Sequence, residues 1–156
     1  MRRRPEVSMR LRPGAPVAGS EVVVETVLAV PSRTPVDSVE VRLSGHESFA
    51  LQTGHARVAR VPLVHLVARF APGLLDPGEH RLPARFALPG GAPGAYPGRF
   101  VAVAYEVSVA VAIPWWPDRH ARFLLPVRSA PRPVTPRAVM FASRVEGPGG
   151  GGETYA

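Results

Sequence analysis

The chain has 156 residues, a formal charge of +7 at pH 7, 19 prolines and no cysteine. Its length suits one domain able to bury its own core and leaves no room for a second full domain, while the missing thiols exclude disulfide staples and thiolate metal sites. No uncharged apolar stretch reaches the ~18–20 residues of a membrane span, and Arg2, Arg3 and Arg4 lack the apolar segment that an export signal places behind its basic residues. These features predict a soluble cytoplasmic protein.

In chain order, residues 1–6 read as a flexible basic N-terminus, followed by seven strand candidates separated by turn chemistry. Val7–Arg12 alternates and stops at Pro13-Gly14; Glu21–Val30 is Val-rich and stops at Pro31; Val36–Gly45 sets Val39, Val41 and Leu43 against Glu40, Arg42 and Ser44. Leu63–Phe70 is apolar on both parities, the pattern of an interior strand. Pro77-Gly78 fits the centre of a type II turn, with Gly supplying the positive φ. Glu79–Leu88 alternates but contains Pro83, which cannot donate to a ladder, so this strand belongs at an edge or at a bulge.

Phe100–Ile113 then alternates over its whole length, with Val101, Val103, Tyr105, Val107, Val109, Val111 and Ile113 on one parity and Ala, Glu or Ser on the other. Period two over so long a run is incompatible with a helix. Arg119–Val127 completes the set. The prolines recur too often for long helices, so the expected fold is all-β: an elongated Ig-like antiparallel β-sandwich of about seven strands over residues 7–128. Residues 129–156 read as a Pro/Gly-rich linker or tail, with Gly147–Gly152 as a flexible stretch.

The positive charge is a weak pointer to nucleic acid. All 19 basic residues are Arg, there is no Lys or Asn, and Ile113 is the only isoleucine, as GC-rich codon usage produces. Arg10, Arg12, Arg42, Arg81 and Arg85 fall on the polar parity of their strands, which is how a solvated sheet face looks, and no basic-aromatic signature accompanies them.

Four blocks carry a resemblance to a known family: Pro16–Val22, Val39–Gly45, Leu75–Pro89 and Tyr105–Val109. Their order and spacing resemble the N-terminal domain of the arrestin family, bacterial type. The most specific block is Leu75-Asp76-Pro77-Gly78-Glu79-His80-Arg81-Leu82-Pro83-Ala84-Arg85-Phe86-Ala87-Leu88-Pro89, followed by the Tyr105-Glu106-Val107 pattern. The resemblance implies a non-enzymatic adaptor or scaffold. Ala18 stands where receptor arrestins place an acidic residue of their phosphate sensor, and no Pro-Pro pair supplies the ubiquitin-ligase docking motif of α-arrestins. Such proteins usually carry two sandwiches. Here Arg137–Val145 resembles the first strand of a second one, which leaves a natural half-arrestin and a truncated two-domain chain both open.

No reactive constellation emerges. His46, His55, His65, His80 and His120 lie at no metal-ligand spacing, Ser44-Gly45-His46-Glu47-Ser48 lacks a nucleophile elbow, and Gly147–Gly152 lacks the ending of a phosphate loop. The expectation is no enzyme, no cofactor, no metal and no small-molecule substrate. Partner-binding candidates are Trp115 and Trp116, adjacent indoles that cannot both enter a core from an extended backbone, and Arg10 and Arg12, in a region similar to the basic strand that meets phosphate in receptor arrestins. Ser48–Ala56 lies where the family has its finger loop. The partner predicted is a protein of unknown identity, with a second arrestin-like domain or a homodimer as further options. Two alternatives remain open: electrostatic contact with anionic lipid or nucleic acid, and a surface adhesive Ig-like module.

Overall fold

The computed structural model describes residues 5–51, 57–115, 117–133, 143–146 and 152–155, and all of its regular elements are strands. They are β1 (Glu6–Arg12), β2 (Glu21–Val30), β3 (Thr34–Val36), β4 (Ser38–Leu51), β5 (Arg57–Phe70), β6 (Gly73–Leu75), β7 (Gly78–Ala87), β8 (Val101–Ala112), β9 (Arg119–Leu124), β10 (Ser143–Glu146) and β11 (Gly152–Tyr155). The alternating segments form strands because one parity is apolar and buries while the other stays wet. Val103, Tyr105, Val107, Val109 and Val111 are buried on β8, and Ala102, Ala104, Glu106, Ser108 and Ala110 face outward.

Two antiparallel sheets make the body, one ordered β1-β2-β7 and the other β5-β4-β8-β9. Their inner faces share one core, to which β2 contributes Val22, Val24, Leu28 and Val30, β7 contributes Ala84 and Phe86, and β4 contributes Val39, Val41 and Leu43 against the β8 row. Thr26, at an inward position of β2, is fully buried, and its hydroxyl has no hydrogen-bond partner among the described residues. One side of the sandwich is stitched where the chain leaves β9. Leu125 and Val127 enter the core, and Arg128 pairs with Val17 through Ala18 N–H to Arg128 C=O (2.9 Å) and Arg128 N–H to Pro16 C=O (2.8 Å).

Several sequence expectations are refined. The segment Val36–Gly45 is two elements, because Val36 joins the small β3-β6 pair and Asp37 N–H bonds to Ala112 C=O before β4 begins. The two packed sheets hold the seven strands expected, and β3 and β6, three residues each, form a separate small pair. The expected strand Arg119–Val127 ends earlier, at Leu124, where Pro126 lies just ahead and the chain turns toward Pro16–Ala18. Strands β10 and β11 pair antiparallel across the glycine run, with Gly152 inside β11. Pro83 lies on β7, an edge strand, where its missing N–H is tolerated, and Gly78 takes the positive φ (140°) expected of the Pro-Gly turn.

The double apolar parity of Leu63–Phe70 does not mark an interior strand, since β5 lies at the edge of its sheet, and it has another cause. Gly45 pairs with Val64 and His46 with Pro62, so Leu63 is an extra residue in β5 and the strand changes phase there. Both Leu63 and the Val64 parity reach the core. Gly45 itself sits opposite Tyr105, and a Cβ on it would lie 2.5 Å from the Tyr105 ring. The ring thus occupies the space that glycine vacates, and its hydroxyl donates to Pro93 C=O at 2.6 Å. Burial pushes the Tyr105 phenol pKa above its ordinary value.

Candidate functional site

The outer face of the β1-β2-β7 sheet places Arg10 and Arg12 on an exposed edge strand, opposite Glu25 and Val23. The same face carries Glu6, Glu21, Glu25 and Glu79 beside Arg10, Arg12, Arg81 and Arg85. Arg85 pairs with Glu21 at 2.9 Å, and Arg81 with Glu79 at 2.8 Å. Charges of both signs therefore share this sheet face. Ala18 is buried.

The outer face of the second sheet is a shallow polar concavity of about 460 Å³ lined by Ser38, Glu40, Arg42, Ser108, His120 and Arg122, among others. Small residues on β8, Ser108, Ala110 and Ala112, make its floor, while longer side chains on β4 and β9 make its walls. Arg69 donates to Glu40 at 2.8 Å and, with Arg42, holds the Glu40 carboxyl below the usual carboxylate range. This surface can hydrogen-bond polar groups of a partner. In the Ser44–Ser48 group, Ser44, His46 and Ser48 share the outward parity of β4, whereas Glu47 has the inward parity of Gly45 and does not join them on that face. Among the described residues no group of three or more His, Cys, Asp or Glu could hold a metal ion, and His55 lies outside those residues. No helix among them is long and apolar enough to cross a membrane.

Strand β8 ends in a turn at Pro114-Trp115 that reverses the chain into β9. Trp115 adopts φ = 66°, a left-handed conformation that is costly for a bulky side chain, and is 99% exposed. The turn, not an extended backbone, is what puts this indole outside. Trp116 lies outside the described residues, as do residues 52–56 of the finger-loop-like segment.

Sequence reasoning passed over one surface entirely. The Gly/Pro loop between β7 and β8 exposes Tyr96 (60%) and Phe100 (53%) at the start of β8, beside Val101 (36%). Aromatic residues interspersed among Gly and Pro were the available signal, but a loop's hydrogen bonds decide whether such residues fold inward, and those are non-local.

No family model matches the chain, and no curated protein matches it. Among solved structures it is similar to Spo0M, a sporulation control protein from Bacillus subtilis, with a TM-score of 0.61, 18% identity, and 82% of this chain covered. The chain spans only 51% of that structure's length. At 18% identity the likeness is one of fold alone. At the level of fold, this protein is an arrestin-like β-sandwich.

Proposed function

We propose that the chain is a non-enzymatic, cytoplasmic protein-interaction adaptor whose principal contact is the turn at Trp115. The observation that carries this reading is a fully exposed indole held in a costly left-handed turn, since a large aromatic left in water gains most when a partner buries it. A regulatory role without substrate chemistry also fits the sporulation-control description of the structural neighbour. Polar groups for the rim of such a contact are at hand in Asp118 and Arg119, which follow the turn and are exposed. The arrangement of the arginines speaks against nucleic acid, because Arg33, Arg42, Arg69, Arg81, Arg85 and Arg122 each lie within ion-pair distance of an acid.

The test is an affinity capture from the native host at low and high salt, with the wild type, Trp115→Ala and the pair Arg10→Glu, Arg12→Glu. A specific protein retained at high salt by the wild type and by the arginine variant, and lost with Trp115→Ala, supports the reading. Capture that depends on the arginines and disappears with salt would replace it with an electrostatic contact.

A further inference from the structure

We infer that the β7–β8 loop, with Tyr96 and Phe100 at its surface, is a contact for an anionic lipid bilayer at the end of β8 opposite Trp115. Three observations converge on this loop. Its aromatics are exposed, yet the loop is pinned: Tyr96 exchanges two backbone hydrogen bonds with Val103 (2.9 and 2.8 Å), Ala50 N–H bonds to Phe100 C=O (2.8 Å), Ala95 N–H to Val127 C=O (2.7 Å), and the Tyr105 hydroxyl holds Pro93. Gly98 lets the Tyr96 ring fold close, since a Cβ there would fall 2.3 Å from it. Two large aromatics are thus fixed in water by the fold itself, which preorganises them for an apolar phase.

Charge selects the occupant. Arg99 is the only charged residue from Leu88 to Ala104, and its guanidinium lies 5.4 Å from the centroid of the Phe100 ring. The neighbouring hairpin adds Arg60, against one acid, Glu47, which pairs with Val61 and Val103. Arg60 is brought to this end by the pairing Arg60–Ser48–Ala102. Aromatic rings flanked by guanidinium groups suit the headgroup region, where rings lodge at the acyl boundary and cations meet phosphate. Exposed rings beside an exposed guanidinium suit a bilayer surface, which takes up aromatic side chains and cations together.

The experiment is co-sedimentation with vesicles of phosphatidylcholine alone and of phosphatidylcholine with phosphatidylglycerol, at low salt. We expect the wild type to bind the anionic vesicles and not the neutral ones. The double variant Tyr96→Ser, Phe100→Ser should bind about tenfold more weakly, and Arg99→Glu about fivefold or more, each with an unchanged thermal melt. Arg99→Glu, fully on the surface, keeps the test decisive if the double variant melts early. Both tryptophans of the chain lie at positions 115 and 116, so their emission should stay unshifted on binding. Failure to bind anionic vesicles, equal binding by Arg99→Glu, equal loss with Arg10→Glu and Arg12→Glu, or a blue shift of the tryptophans would each overturn the inference.

Discussion

Between Val103 and Val111, β8 sets five side chains against the opposite sheet with at most 7% of any one exposed, whereas Val101 before them is 36% exposed and Trp115 after them 99%. The strand is the same, but its middle has a second sheet above it and its ends do not. Burying each valine of the middle contributes roughly 1.5–3 kcal/mol, so that stretch is committed to the fold. The ends contribute little to stability and are free to meet other molecules. They also differ from each other: Asp37 and Asp118 accompany the Trp115 turn, while the Phe100 end carries Arg99 and Arg60 with Glu47 on the adjacent strand. One strand thus joins two unlike surfaces roughly 36 Å apart, at ~3.3 Å per residue.

Substitutions that force this contrast to fail are ordered by size. Val107→Asp should destabilise by about 3 kcal/mol or more, because it buries an unpaired carboxylate where the native side chain is fully enclosed; an unchanged melting temperature would show that β8 does not face a core. Next, Gly45→Ala should cost about 1–3 kcal/mol by urea titration, since the methyl collides with the Tyr105 ring unless that ring shifts. A compensating gain from pairing it with a smaller residue at 105 would identify the collision as the cause.

Tyr105→Phe removes only the hydroxyl bonded to Pro93, and about 1 kcal/mol is expected. It carries a pH signature as well. The folded phenol pKa is raised above 10.0 by burial, so the native protein keeps this contribution below pH 10 and loses it as pH rises through the folded value. The phenylalanine variant should lack that alkaline loss, and identical alkaline melting of the two would contradict the burial argument. Smallest of all, Trp115→Ser should change stability by no more than about 0.5 kcal/mol while abolishing partner capture. A large drop in melting temperature would assign Trp115 to closing the end of the sandwich, and the two regions of β8 would cease to differ in kind.

How legible these features are depends on how local their causes are. Strand β2 is readable to the residue, Glu21–Val30, because its alternation and its Pro31 stop are both local. The edge position of β7 follows from Pro83, since a missing donor constrains the ladder wherever the strand lies. By contrast, the break at Val36 depends on β6, thirty-odd residues later, and the phase change at Leu63 depends on which residue of β4 stands opposite. Among the surface candidates, the exposure of one tryptophan was legible from adjacency. Its left-handed turn was not.

What the amino-acid order determined by itself is the pattern of parities: which residues of β2, β4, β7 and β8 are apolar on one side, where prolines forbid continuation, and therefore that antiparallel sheets must pack face to face. Side-chain period and proline sterics are properties of the chain alone. Only the tertiary structure decided that Tyr105 fills the space over Gly45, that the arginines of the first sheet stand among glutamates, and that Phe100 and Trp115 lie bare at opposite ends of one strand. Those facts depend on cross-strand register and on where the opposite sheet stops, quantities set by residues far apart in sequence.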